Sequence, residues 1–422
     1  MNWPTLPLKR LVDPARPITY GIVQAGPDTP GGVPYIRPAD MTAGSGVPDR
    51  TKLLRTTPEI AASYRRSTVA AGDLIVSIGP SYGKVMVVPK ELAGANLTQG
   101  TGRVAAAAGL DVRFLYWALQ TTIARQFWDA SAGGATFRAL NLEPLGRTPV
   151  VLAPSREQRR IADFLDAETN RIDRLTGMYI RQAQILTDRR VSHLASTYRQ
   201  LRNEHGAIRL RHILLRIEQG WSPQCEDRLT EEGEWGVIKA GCVNSGTFES
   251  TQHKALPAGT PPRLEYALRE GDLLMSRASG STDLIGSVGI VQHPHPNLLL
   301  CDKVYRLTLD QKLGLPTFVA HMLRSHAVRE HFRMGVSGGE GMAHNLPTVI
   351  VKNCLLPKAP LPAQVATVEM LNQSAMAVER ARYALQKSIS LLAERRQALI
   401  TAAVTGQFNV STASGRNVTD GV

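Results

Sequence analysis

Between Pro154 and Tyr198, apolar or long side chains return at Ile161, Leu165, Glu168, Ile172, Leu175, Tyr179, Gln182 and Leu186. The steps alternate between three and four residues, a spacing that keeps one seam of a helix turned toward a partner helix. Ser155 supplies an N-cap. Glu157 and Asp163 lie near the positive end of the helix dipole, and Arg189 and Arg190 near the negative end. A helix of roughly 40 residues is about 60 Å long and cannot bury its seam against itself. The stretch from Pro360 to Thr405 repeats the pattern at Val365, Val368, Leu371, Ala375, Val378, Arg382, Leu385, Ile389, Leu392, Arg396 and Leu399. The two stretches also match residue by residue: PSREQRRIADFL lies over PLPAQVATVEML, and DRRVSHLAS over ERRQALITA. An offset of roughly 206 residues marks duplication of a whole domain with its helix, not a short solenoid unit.

The segments before each helix repeat as well. In the first, VPYIRPADM and DLIVSIG with KVMVV read as short strands broken by Gly and Pro. FLYWALQTTIARQFW reads as one helix, with Phe114, Trp117, Ala118, Ile123 and Phe127 near one face. The second runs the same course. WGVIKAGCV parallels VPYIRPADM, REGDLLMSRASGS parallels AAGDLIVSIGPSY, CDKVYRLTL parallels TQGTGRVAA, and FVAHMLRSH parallels FLYWALQTT. VSGGEGMAHNLPTVIVKNCLLP parallels SAGGATFRALNLEPLGRTPVVLAP, which pairs Asn141 with Asn345 and Leu142 with Leu346. One fold with two divergent surfaces follows. The polar tail from 408 to 422 reads as a loose end.

Charge changes the picture. The chain of 422 residues carries a formal net charge of +13, which favours a polyanionic partner. Cys225, Cys242, Cys301 and Cys354 form no C-x-x-C pair, so neither disulfides nor a structural zinc site is expected, and a reducing cytoplasm fits. The start, MNWPTLPLKRLVD, lacks the apolar run of a signal peptide. No stretch approaches the roughly 18 apolar residues of a membrane span.

Chemical motifs fail on inspection. GPSYGK at Gly79 to Lys84 is short of a phosphate loop by one residue, with Val85 where Ser or Thr would bind magnesium. SGGEG at Ser337 to Gly341 lacks the strand–helix setting of a dinucleotide site. His321, His326 and His331 fall five apart, whereas a helical metal pair needs i and i+4. His293 and His295 lie in a Pro-rich turn. There is no G-x-S-x-G elbow and no set of paired carboxylates with a lysine of the kind a metal-dependent nuclease needs. No Asn-Pro-Pro-aromatic methyltransferase tetrapeptide appears either. The chain is expected to be non-catalytic, with no cofactor or metal of its own.

The repeated blocks, the PSREQRRIADFLD…RID stretch and the LLAERRQALITAAVTGQF ending resemble the specificity subunit of type I restriction–modification systems. The resemblance covers nearly the whole chain; one departure is PLPAQVATV, where the family has a Glu-Gln pair such as Glu157-Gln158. It implies an α+β fold. Two tandem α/β target-recognition domains (1–153 and 204–357) would be joined by two long spacer helices (154–203 and 358–407), with a flexible tail at 408–422. The helices would form an antiparallel, pseudo-two-fold coiled coil through Ile161, Leu165, Ile172, Leu175, Tyr179, Leu186, Val368, Leu371, Leu385, Ile389, Leu392 and Leu399, the domains standing at opposite ends. Implied partners are double-stranded DNA, two adenine methyltransferase subunits and restriction ATPase–nuclease subunits. S-adenosylmethionine, ATP and magnesium would be expected on those partners, and no membrane is involved. Loops entering the major groove would use Arg, Lys, Asn, Gln and Ser. The candidates are Lys84, Arg103, Arg138 and Asn141 in the first domain, and Lys239, Arg277, Ser279, Lys303 and Asn345 in the second. Two alternatives are a coiled-coil scaffold without a DNA role and a solitary specificity subunit of a methylation-only system.

Overall fold

Leu74–Ser77 is wholly buried and runs through an antiparallel sheet ordered Thr19–Tyr20, Thr101–Val104, Leu74–Ser77, Val85–Val87. A second sheet sets Val33–Ile36 between Arg55–Thr56 and Asn96–Leu97. The computed structural model describes residues 3–41, 48–79, 81–132, 139–292, 297–337, 344–407 and 409–410. Arg138, His293, His295, most of the SGGEG turn and nearly all of the tail lie outside them.

The chain divides into two units, 1–180 with 385–422, and 181–384. Each unit therefore takes part of both long helices, which a linear division into domains and spacers does not convey. In the first unit, α1 (Pro58–Ser63), α2 (Val112–Ala118), α3 (Thr122–Ser131) and α4 (Leu142–Arg147) precede α5 (Ser155–His205). The single helix read from FLYWALQTTIARQFW is two. Thr121 ends the run because its hydroxyl accepts from the Ala124 N–H and caps α3, as Ser and Thr do at helix starts.

The second unit repeats this order except for α1, in whose place it has a short 3-10 turn at Leu264–Tyr266. Leu214–Gln219, Val304–Leu309, Leu273–Ser276 and Val288–Ile290 form one antiparallel sheet, and His253–Ala255, Gly236–Ile238 and Leu298–Leu299 the other. Helices α6 (Pro316–Leu323), α7 (His326–Gly335) and α8 (Thr348–Asn353) precede α9 (Leu361–Val404). A short ribbon closes each block onto its long helix, Thr5–Pro7 on Pro149–Val151 and Ala207–Arg209 on Leu355–Pro357.

Side chains have diverged inside this shared frame. Trp128 in α3 donates its indole N–H to Thr148 Oγ1 at 2.7 Å. At the matching places of the second unit Phe332 and Cys354 are both buried in one apolar core, so neither the donor nor the acceptor is present there. Burial pushes the Cys354 thiol up to about 12, and it packs as a small apolar group. All four cysteines are free.

Within the first unit α5 and α9 run antiparallel. Ile161, Ala162 and Leu165 share a core with Ile400, Ala403 and Val404, while Asp173 pairs with Arg396 at 3.7 Å. Within the second unit Arg190 pairs with Glu379 at 3.1 Å, and Tyr198 and Leu201 meet Leu371 in the core. The residues expected to form the coiled-coil seam are all buried or half-buried, whereas Gln182 and Arg382, named with them from the spacing, are exposed. Val365 is exposed too, at 45%, and its neighbour Gln364 turns inward instead. Gly206 and Gly406 follow the two helices with φ of 76° and 72°, the left-handed stop that glycine adopts without strain. Among the described residues no helix is long and apolar enough to cross a membrane.

Candidate nucleic-acid interface

In the second unit the strand Leu273–Ser276 leads straight into Arg277, and four of the five candidates of that half converge there. The Arg277 and Ala278 N–H groups both donate to the Lys303 carbonyl, at 2.9 and 3.3 Å, and the Leu346 N–H donates to the Arg277 carbonyl at 2.9 Å. Ala278 and Ser279 pair with Asn345 and His344 as a two-residue ribbon. The Arg277 guanidinium donates to the Asp302 carbonyl at 3.1 Å and lies 5.9 Å from the Tyr305 ring centre. Ser279 Oγ accepts from the Ser281 N–H.

Two residues that the sequence reading passed over complete this cluster. The Asp302 carboxylate accepts from Lys303 Nζ at 2.6 Å and from the Ser222 hydroxyl. Against the cost of its burial, Lys303 and Ser222 hold the Asp302 carboxyl below its usual range. The cluster thus presents guanidinium, ammonium, hydroxyl and carboxylate together, the donor and acceptor types that read base edges and grip phosphates. Lys239 stands apart from it. With Lys254 it flanks Asp227, each ammonium 3.3 Å from that carboxylate.

The first unit builds the same junction from uncharged residues. The Ile78 and Gly79 N–H groups donate to the Gly100 carbonyl at 2.8 and 3.1 Å, and the Leu140 N–H donates to the Ile78 carbonyl at 2.9 Å. Ile78 therefore stands where the second unit has Arg277, and Gly100 where it has Lys303. Leu140, not Leu142, holds the place of Leu346. The sequence pairing of Asn141 with Asn345 is thereby corrected: Asn141 precedes α4 as Pro347 precedes α8. A cavity of about 540 Å³ opens here, lined by Tyr20, Gln99, Gly100 and Asn141 among others. Asn141 is exposed and makes no capping bond with its side chain. Tyr20 is 46% exposed, and Gln99 is exposed beside it. Neither of these carried a motif.

Glycine makes the approach possible in both halves. A Cβ on Gly21 would stand 1.8 Å from the Leu97 carbonyl oxygen, and one on Gly220 1.8 Å from that of Leu300. Backbone must pass backbone at each point, directly after Tyr20 and Gln219.

Two candidates of the first half face inward. Arg103 is only 5% exposed. It donates to the carbonyls of Thr68 at 3.1 Å and Pro17 at 3.3 Å, and burial, then the charge of Arg16, pushes its pKa down. Asp73 beside it is held by Arg16 through two bonds of 2.8 and 2.5 Å. Arg306 is the counterpart in the second unit, donating to the Ala267 carbonyl at 2.8 Å and paired with Asp272 and Glu218. Both arginines tie a sheet to its flanking turn, so Arg103 is corrected from a DNA contact to a core residue. Lys84 is half-buried and donates to the carbonyls of Pro38 at 3.0 Å and Met41 at 2.8 Å. Those bonds fasten the loop ahead of residue 42 and engage the ammonium within its own domain.

Comparison with known proteins gives these junctions a context. Residues 24–180 match the family model of the type I restriction modification DNA specificity domain. The type I restriction enzyme EcoEI specificity subunit of Escherichia coli is 23% identical over 197 residues, 46% of this chain and 33% of that protein. The EcoBI specificity subunit of the same species is 26% identical over 197 residues, 43% of this chain and 41% of that one. The matched stretch is thus less than half the length of these curated relatives. Among solved structures, one from work on complex assembly and conformational transition of the type I R-M system has a TM-score of 0.76 at 17% identity, covering 96% of this chain and 98% of its own. The crystal structure of the HsdS subunit from Thermoanaerobacter tengcongensis gives 0.56 at 17% identity, with 96% and 97% covered. These two likenesses are of fold. The chain thus carries one matched DNA specificity domain and a second block with the same sheet order, each followed by a long helix. Over residues 24–180 and in its fold, the chain is similar to the specificity subunits of type I restriction–modification systems.

Proposed function

We propose that this chain is the DNA-reading subunit of a type I restriction–modification complex, each unit reading one half of a split duplex target. One observation carries the reading. The four-stranded and three-stranded sheets within the specificity domain matched at 24–180 recur in the same order between 207 and 357, with different chemistry at the same junction. Two copies of one frame with unlike tips suit a target whose halves differ. The excess of 49 Lys and Arg over 36 Asp and Glu favours a duplex through its phosphates.

Methylation of adenine and ATP-driven cleavage belong, in this reading, to partner subunits that bring S-adenosylmethionine, ATP and magnesium. The long helices leave apolar side chains open for such partners. Met178, Ile180, Ile185 and Val191 on α5 are each more than half exposed, as are Met376, Tyr383 and Leu391 on α9. Exposed apolar groups in series are a mark of protein docking. This role places the chain in the cytoplasm.

The test is transfer of a labelled methyl group to duplex DNA. The pure chain alone is expected to transfer none, and addition of its methyltransferase subunit to give adenine methylation at a split motif. Methylation by the pure lone chain, or methylation by the mixture without sequence preference, would overturn the reading.

A further inference from the structure

Away from the junctions, the second unit holds a cationic recess that its first-unit counterpart closes. Two adjoining cavities of about 200 and 220 Å³ share Arg190, His321, Arg324 and Ala375. His193 and His326 line the first; Ser245, Thr247, Gln292 and Asn372 line the second. Among the described residues no carboxylate lines either. Arg190 is met from outside by Glu379 at 3.1 Å. Arg324 donates one terminal nitrogen to the Gly246 carbonyl and to that of Val288. Its buried Nε has no partner among the described residues, which is costly for a charged donor.

The matching residues of the first unit show what is missing. Trp117 stands where His321 stands, and its indole N–H donates to Asp166 at 2.8 Å, as the His321 ring pairs with Asn372 at 3.0 Å. Arg396, the counterpart of Arg190, lies 5.6 Å from the centre of the Trp117 ring and pairs with Asp173. Gln120, just before the Thr121 cap, takes the place of Arg324 just before the Ser325 cap. The first unit thus fills the space with indole and sets a carboxylate in it. The second has a smaller ring, an amide for the carboxylate, and one more guanidinium.

We infer that this recess binds a phosphate group carried by a small molecule, held between the Arg190 and Arg324 guanidiniums with the Ser245 and Thr247 hydroxyls beside them. Planar guanidinium forks match tetrahedral oxyanions, and the cavities leave room for the phosphate and a small remainder. Burial, then Arg324, pushes His321 down to about 4. Burial, then Arg190, pushes Arg324 down to about 10. Beside the burial, both shifts include repulsion between positive groups that line the recess. The inference does not depend on which DNA the chain reads.

Isothermal titration of the full chain with inorganic phosphate, at ionic strength fixed with chloride, tests it. Saturable binding is expected, weakened about tenfold or more in Arg324→Gln and in Arg190→Gln, the loss of one charged contact. Arg147→Gln, on an exposed pair in the first unit, is expected to bind like the parent. Should Arg324→Gln fail to fold, Arg190→Gln decides alone, because its side chain is half exposed. No saturable uptake, equal binding by parent and Arg190→Gln, or displacement of phosphate by duplex DNA would each overturn the inference.

Discussion

Lys84 and Lys303 look alike in sequence, each following a glycine or an acid at the edge of a strand. The fold separates them. Lys84 is tied to two carbonyls of its own domain, whereas Lys303 is half exposed and shares Asp302 with Ser222. Lys303→Ala should weaken DNA binding on all sequences alike and lower the slope of log affinity against log salt by about one. Lys84→Ala should leave that slope unchanged and cost about 1–3 kcal/mol of stability through the orphaned carbonyls. Titrations at several salt concentrations, beside thermal unfolding, check both; a reduced slope in Lys84→Ala would return that residue to the interface. Residue roles of this kind were not legible beforehand. A buried arginine such as Arg103 is rare, and only the arrival of Thr68 and Pro17 from distant sequence shows where it points. The Asn141–Asn345 pairing failed for a related reason. Loops change length at little free-energy cost, so likeness across a Gly-rich segment does not fix register.

Elements repeat more faithfully than residues. Gln158 in α5 accepts from the Asp111 N–H at 3.0 Å and donates to the Ala153 carbonyl at 2.7 Å. Gln364 in α9 accepts from the Leu315 N–H at 2.9 Å and donates to the Ala359 carbonyl at 2.8 Å. Each glutamine, nearly fully buried, locks the start of a long helix to the start of α2 or α6. The Glu-Gln pair absent from PLPAQVATV has kept the residue that matters structurally, with Ala363 standing where Glu157 does. Gln158→Ala should speed amide exchange at Asp111 while leaving Leu315 protected, and Gln364→Ala should do the reverse, each at about 2 kcal/mol or more from buried groups left unpaired. Equal effects at both amides in either variant would refute the clamp. The helices themselves were readable because a seam renewed every three or four residues is a long-range signal. The strands are two to six residues long and the break at Thr121 rests on one hydroxyl, so neither stands out in a periodicity.

At the scale of the whole chain, duplication is the organising event. It was legible because the two long helices kept their seam spacing and a few matching residues such as Gln158 and Gln364, while the junctions between sheets diverged. Each core cluster draws its residues from one unit, which is the physical condition for two tips to change separately. The direct measurement is to exchange residues 1–150 for the corresponding block of a similar specificity subunit, express the chimera with the methyltransferase subunit proposed as its partner, and sequence the methylated motif. The account predicts that one half of the motif changes and the other half stays as in the parent. An active chimera with both halves changed, or with neither changed, would contradict it.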